Sequence, residues 1–504
     1  MIGTIAITGW AEEPGDGAVV AGEQEASPPS ISESIAGDAS AAKTDASDTD
    51  ELSAGGAGGK EEETVPVELL LAEDLFPQLR PILLSAAQQA PSILSRNVEV
   101  AIAEANSVIA NADRYPSAAG LLRYDYRKES RLDRPDIDYS NKLFYFFQAS
   151  YPLYHWGAIQ AAGEIGKIGI ELAEGQMESA YRQLVQSVRS QYLGLVIQKM
   201  DLKNAEADLE KRRNELADLK EQLEAGAIAA NRVGSAGFSL QEAELRYDRQ
   251  ASEFAYSLRQ FGRLVGDLSF SQEHVADEFP GVGHNPEQLG ELLGAFVHGG
   301  FKDDPRVMAT ELEIEREEMN YRIHNVRNRP KFNLITGISQ DEISYDANIA
   351  NKYQTTALFA GVSLNWNIFD GYETRGLRTA SLLRLNRLRM SRREMDAQLA
   401  DEAAQASDRV SFAARALALG EVTVNGVRRA LEIAERDFAA GLTSEESVES
   451  ARGRLFDYEI SQARRKVDYL NAVSAFVALV GADTLIGELE ENRPELGTEY
   501  ERKP

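Results

Sequence analysis

The sequence predicts an α+β membrane protein in which one unit occurs twice: a helix, a pair of strands and a very long helical hairpin. Three observations carry that expectation. A pair of prolines recurs 214 residues further along the chain, several segments alternate apolar and polar residues, and apolar heptads continue through six successive positions.

The bulk properties limit how such a chain can meet a membrane. Of its 504 residues 43% are hydrophobic, yet the mean hydropathy is −0.35, which excludes a polytopic helical membrane protein. No stretch approaches the ~20 apolar residues that a spanning helix needs. A membrane crossing would therefore have to be a closed β-barrel, since open sheet edges cannot be satisfied in lipid. The net charge of −28 argues against a nucleic-acid partner, which calls for a basic footprint. Cysteine is absent, so disulfides, thiol metal sites and lipid attachment through an N-terminal cysteine are excluded.

At the N-terminus "MIGTIAITGWAEE" has a short apolar run and a small-residue cleavage site after Ala11 but no basic n-region. Residues 1–11 read as the remnant of a signal peptide, with an ordinary apolar N-terminus as the alternative. Residues 12–66 are expected to be a disordered acidic tail. Between 11 and 63 lie 14 Asp/Glu against two Lys, with too little apolar surface for a core. Residues 483–504 read as a polar C-terminal tail.

The duplication sets the architecture between these tails. Pro91 and Pro116 are spaced like Pro305 and Pro330, and each pair brackets a helical pattern. From there an offset of 215 holds: "YPLYHW" (151–156) lies over "WNIFDG" (366–371), Gly226 over Gly441, and "LVG" at 264–266 over "LVG" at 479–481. The first repeat is assigned to 67–284 and the second to 285–482. Strands are expected at about 118–129 and 142–154, and again at 331–340 and 356–369. In 121–128 Leu122, Tyr124 and Tyr126 share one face while Arg123, Asp125 and Arg127 share the other, which suits lipid outside and water inside. In the last strand Val362, Leu364, Trp366 and Ile368 alternate with Ser363, Asn365 and Asn367. The aromatic run of 143–154 fits a barrel–membrane interface or the core strand of a sandwich. The connections 130–141 and 341–354 are polar and turn-rich, as exposed loops should be.

Long helices are expected at 158–225 and 373–440, each about 100 Å at 1.5 Å per residue. Val188, Leu195, Leu202, Leu209, Leu216 and Leu223 recur at sevens, as do Ala403, Val410, Leu417, Val424, Leu431 and Phe438. Such a stripe means helices supercoiling against neighbours. Return helices follow at about 230–266 and 445–480. The first carries Leu240, Tyr247, Phe254 and Phe261; in the second Gln462 interrupts Leu455, Tyr469 and Phe476. Four strands cannot close a barrel alone, so the chain must oligomerise.

Over roughly residues 68–482 the chain resembles the TolC-like outer membrane efflux protein family. "YPLYHWG" and "WNIFDG" are similar to its Pro-Leu/Ile-Tyr/Phe-Asp-Gly strand–helix junction, carried here by Pro152, Trp156, Gly157, Asp370 and Gly371. "AAQQAPSI" and "GGFKDDPRV" resemble its Asn-Pro entry to each copy. "AGAIA" and "AGLTS" resemble its Val-Gly-Leu-Thr/Ala tip, followed ten residues beyond the glycine by Ala236 and Ala451. The resemblance implies a homotrimer with a twelve-stranded outer-membrane β-barrel, continued by a periplasmic α-helical coiled-coil barrel. It implies a passive exit duct docked to a periplasmic adaptor and, through it, to an inner-membrane RND or ABC transporter, with no cofactor.

On that reading Ala225, Gly226, Ala227 and Ile228, with Ala440, Gly441, Leu442 and Thr443, are the adaptor-docking tips, although turn chemistry alone also explains the glycines. Arg123, Asp125, Arg127, Ser363, Asn365 and Asn367 line the lumen, and outer-membrane lipid covers the opposite face. Family members often carry aspartates six and nine residues after the second tip glycine, where this chain has Ser447 and Ser450. Glu445, Glu446 and Glu449 lie beside them as a substitute acidic ring at a periplasmic gate, or as a solvated first turn favoured by the helix dipole. Arg232 is a candidate latch to Glu446 or Glu449. The five histidines have no metal-ligand spacing, and no P-loop or nucleophile motif occurs, so no enzyme is expected. The rival reading is a periplasmic or surface coiled-coil scaffold or adhesin without transport.

Overall fold

A computed structural model of the chain describes residues 70–131, 134–282, 286–302, 304–344 and 352–491. The segments read as signal remnant and acidic tail lie outside the described residues. Helices α1 (Ala72–Leu75), α2 (Leu79–Gln89) and α3 (Pro91–Ala112) lead into strands β1 (Ser117–Arg131) and β2 (Arg134–Tyr154). The long α4 (Ala158–Glu224) and its return α5 (Ala230–Val265) complete the first copy. A short 3-10 turn at Gln272–His274 and α6 (Pro286–Gly299) join it to α7 (Pro305–Val326), β3 (Lys331–Ser344) and β4 (Lys352–Asn365). The second hairpin, α8 (Glu373–Ala439) and α9 (Glu445–Val480), ends in α10 (Thr484–Glu491). Pro91 and Pro305 stand at helix starts, where a missing N–H costs nothing. Both long helices have 67 residues and both return helices 36.

The four strands form one antiparallel sheet in the order β1-β2-β3-β4. Three expectations need correction. Residues 130–141 are not a loop: the hairpin ladder continues to Arg131↔Arg134, because backbone pairing along the ladder outweighs turn-rich composition. The last strand stops at Asn365 rather than 369. Asn365 faces Lys331, the first residue of β3, and the preceding Pro330 has no N–H to extend the ladder. Asn367 is therefore off the strand, and alternation does not set its direction. The first turns of the supposed C-terminal tail form α10, with Leu485, Ile486 and Leu489 buried in the helical core. The apolar pattern there is too short to read as a helix from sequence. In the second hairpin pairing continues to Ser344↔Lys352, and residues 345–351 lie outside the described residues.

The heptad stripe is graded along the helices. Val188, Leu195 and Leu209 on α4 and Ala403, Val410, Leu417 and Val424 on α8 are buried. Towards the tips Leu216, Leu223 and Leu431 are only half-buried, and Phe438 is exposed. The interruption at Gln462 is also buried, and its amide donates to the carbonyl of Leu417 at 3.1 Å.

The best-packed region lies near the middle of α4. Phe76 makes edge contacts with Tyr192 and Phe279, with ring centroids 5.6 and 5.2 Å apart. Beside them Arg189, 1% exposed, bonds Glu73 of α1 through Nε at 2.9 Å and Asp483, ahead of α10, through Nη1 at 2.5 Å. This guanidinium ties both ends of the described chain to the long helix. Arg189→Ala leaves two largely buried carboxylates without their cation, a loss of about 3–5 kcal/mol. The denaturant midpoint should fall, and limited proteolysis should release the segments around α1 and α10 first.

Candidate functional site

Register assigns the strand side chains to two faces. Pairings Leu122↔Tyr145, Tyr124↔Leu143, Tyr151↔Leu334, Leu334↔Val362 and Ile338↔Leu358 place apolar groups together on one face. Most of them are exposed, Leu358 to 84%. On the other face Arg123 forms a 2.9 Å ion pair with Asp125 and lies over the Phe144 ring, which pairs with it across the strands. Ser363 and Asn365 share that face opposite Asn333 and Lys331. Arg127 occupies the same side of β1 by register; its side chain lies outside the described residues. The face is not uniformly polar, since Phe146 and Phe359 stack there with centroids 6.1 Å apart. In this chain alone the outer edges of β1 and β4 have no strand partner among the described residues.

At each exit from the sheet the chain turns into a long helix through two successive left-handed residues. They are Trp156 and Gly157 (φ 59° and 84°) in the first copy, and Gly371 and Tyr372 (φ 63° and 70°) in the second. The positions correspond at the 215-residue offset, but glycine supplies the second residue in one copy and the first in the other. Asp370 accepts from the backbone N–H of Thr374 at 2.9 Å, capping the start of α8. The two strand-exit tryptophans hold the same corner between α7 and β3. Trp156 Nε1 donates to the carbonyl of Pro330 at 2.7 Å and Trp366 Nε1 to that of Asn328 at 3.0 Å. His155 adds a 2.8 Å bond to Asn333, while Pro152 pairs with that residue across β2–β3.

The helical tips are closed alike. In the first, Gly226 (φ 71°) donates to Leu223 and Ala227 donates to Gln222. In the second, Gly441 (φ 73°) donates to Phe438 and Leu442 to Asp437. This is the two-bond Schellman arrangement that glycine permits. Ala225 and Ala440 are the preceding C-cap residues. Leu442 is 79% exposed, while Ile228 and Thr443 are half-buried. Ser444 caps α9, whereas its counterpart Ala229 offers α5 no side-chain acceptor.

A family model for the outer membrane efflux protein matches residues 82–266 and 302–482, covering both copies. The chain belongs to the outer membrane efflux protein family. The Campylobacter jejuni CmeC outer membrane channel is similar in fold, with a TM-score of 0.65 at 13% identity over 89% of this chain and 98% of that one. The Vibrio cholerae outer membrane protein VceC gives a TM-score of 0.60 at 17% identity, covering 81% and 97%. The open state of the Neisseria gonorrhoeae MtrE outer membrane channel gives 0.53 at 16%, covering 80% and 90%. Among curated protein sequences none is similar enough to match.

This outer membrane efflux protein is therefore an outer-membrane channel extending into the periplasm, in a family that conducts rather than catalyses. Among the described residues no helix is long and apolar enough to cross a membrane, and no group of three His, Asp or Glu could hold a metal. At the second tip Glu445 and Glu446 are exposed at the start of α9. Glu449 is partly exposed and accepts from Lys211 of α4 at 2.9 Å and from Arg452 at 2.6 Å. The Lys211 bond, then the neighbouring charges, hold its carboxyl below the usual range. Within the chain Glu449 is thus paired with Lys211 and Arg452, while Arg232 enters no ion pair among the described residues. The anchoring tryptophan bonds and the Lys211–Glu449 bridge were not anticipated. Trp366 is visible in sequence only as an apolar strand residue, and Lys211 as one charge among many.

Gly157→Ala and Gly371→Ala test the corners cleanly, because a Cβ at either position meets nothing within 4 Å. Only the left-handed conformation is penalised, by about 1–2 kcal/mol each. Thermal unfolding in detergent should show two similar downward shifts, adding in the double variant.

Proposed function

We propose that three copies close their sheets into a twelve-stranded outer-membrane barrel whose helices continue as a periplasmic tunnel. The assembly is the passive exit duct of a tripartite efflux or type I secretion system. One observation carries the reading: a sheet with an exposed apolar face and two edges that have no strand partner among the described residues, left through matched corners. In lipid such edges have to be paired, and ring closure with further copies is the way to pair them. The apolar face then meets outer-membrane lipid, and Arg123, Asp125, Arg127, Ser363 and Asn365 face the bore. The tips Ala225–Ile228 and Ala440–Thr443 are the docking points for a periplasmic adaptor, which links the duct to an inner-membrane RND or ABC transporter. Outer-membrane fractionation should yield an SDS-resistant trimer that forms channels in planar bilayers. A soluble periplasmic monomer would instead favour a coiled-coil scaffold.

The gate is assigned to Glu445, Glu446, Glu449 and Arg232 at the tunnel's periplasmic end, with the Lys211–Glu449 bridge fixing α9 against α4. Because the Glu449 carboxyl is held low, the bridge is fully formed above the usual carboxylate range and persists as pH falls into it. It is lost only as pH falls through the depressed value. Conductance should therefore rise in acid, and Lys211→Gln, which removes the bridge itself, should give the raised conductance already at neutral pH and flatten its dependence on acid. Single-channel records that are identical for the two proteins at every pH would remove this bridge from the gate.

A further inference from the structure

We infer that the chain carries a binding collar for anionic phospholipid headgroups where its strands give way to helices. The inference rests on the proposed lipid contact of the apolar sheet face. All four crossings between sheet and helices lie at one end of the sheet, since Lys331 pairs with Asn365 and Tyr154 with Phe332. The segments 110–116, 155–167, 322–331 and 370–378 make these crossings. Together they hold eight Lys/Arg against four Asp/Glu, in a chain whose net charge is −28. A local cationic excess against so acidic a background points to an anionic partner at this level.

The apolar face supplies the second half of the argument. At this end it finishes in exposed Tyr151, Tyr154 and Leu364. Beyond the strand come exposed Phe369 and Tyr372, packed edge to face with centroids 5.5 Å apart. Aromatic side chains of this kind settle at the boundary between hydrocarbon and headgroups. Within two turns of them on α8 stand Arg375 and Arg378, both exposed and neither in an ion pair among the described residues. Arg329 adds a third exposed guanidinium, lying over the Trp156 ring at 4.9 Å. An apolar wall, an aromatic rim and then uncompensated arginines match, in order, the acyl, interfacial and phosphate layers of a leaflet. Guanidinium also favours phosphate through its forked donors.

The test uses the intact protein in nanodiscs holding phosphatidylethanolamine and phosphatidylglycerol in equal amounts. The lipid retained after extraction into detergent is counted by mass spectrometry. Phosphatidylglycerol should be retained over phosphatidylethanolamine at about five to one, against one to one in the disc, the factor that one basic side chain near an anionic surface supplies. Arg375→Gln with Arg378→Gln should bring the retained ratio close to that of the disc, while Arg375→Lys with Arg378→Lys should keep most of the enrichment. Insertion without enrichment, or enrichment unaffected by the glutamine pair, overturns the collar and leaves the barrel reading intact. The same holds if the glutamine pair alters only the channel's ion selectivity, which would place these arginines in the bore. Failure to enter discs of either lipid alone overturns the lipid-facing assignment, and the collar with it.

Discussion

A strand at the edge of a sheet exposes a row of N–H and C=O groups, and hydrocarbon offers them no partner. That constraint organises this chain. It folds four strands into a sheet whose two outer edges have no strand partner, and whose apolar face is largely exposed, among the described residues. In water such a surface would invite aggregation; in a bilayer it is satisfied once closed into a ring. The duplication fits the same constraint, because each copy delivers a paired hairpin rather than a single strand. A hairpin begins and ends at the same end of the sheet, so both long helices leave from that end.

The turn from strand to helix is the next requirement, and it is met twice by the same backbone shape from different residues. Two consecutive left-handed residues swing the chain out of the sheet, with glycine second in Trp156-Gly157 and first in Gly371-Tyr372. One glycine per corner leaves one residue with a Cβ in an unfavourable region. The surroundings hold both corners in place. Trp156 and Trp366 bond successive parts of the Asn328–Pro330 turn, so the exits of β2 and β4 are referred to a common point. The shared corner sets how the two helical hairpins leave relative to the sheet.

Much of this could be read in the sequence, and the parts that could not share a cause. Repeated prolines, tip glycines and heptads are local or periodic signals, so the helices and the order of elements are legible. Strand ends are set by partners, which a single strand does not reveal: Asn365 is terminal because Pro330 precedes its neighbour Lys331. For the same reason 130–141 looks like a loop from its composition yet pairs as hairpin. Charged residues are least legible. Arg189 sits among apolar heptad positions without any mark of burial, and its partners Glu73 and Asp483 are 116 and 294 residues away. Glu449 could be placed near a gate by its distance from Gly441, but not paired with Lys211, because that pairing depends on how α9 lies on α4.

Packing along the helices then separates a firm region from a yielding one. Around Arg189 aromatic rings, buried leucines and paired charges leave few alternative arrangements. Towards the tips the same heptads are half-buried, Phe438 is exposed, and exposed or partly exposed ion pairs such as Lys211–Glu449 and Arg452–Glu435 take over. Exposed pairs contribute little net stability and exchange partners readily, so displacing a tip gives up less apolar contact than displacing the middle of the helix. The result is a gradient from firm mid-helix packing to loosely held tips. Here it arises from where the heptads find neighbours within the chain, rather than from any change in the heptads themselves.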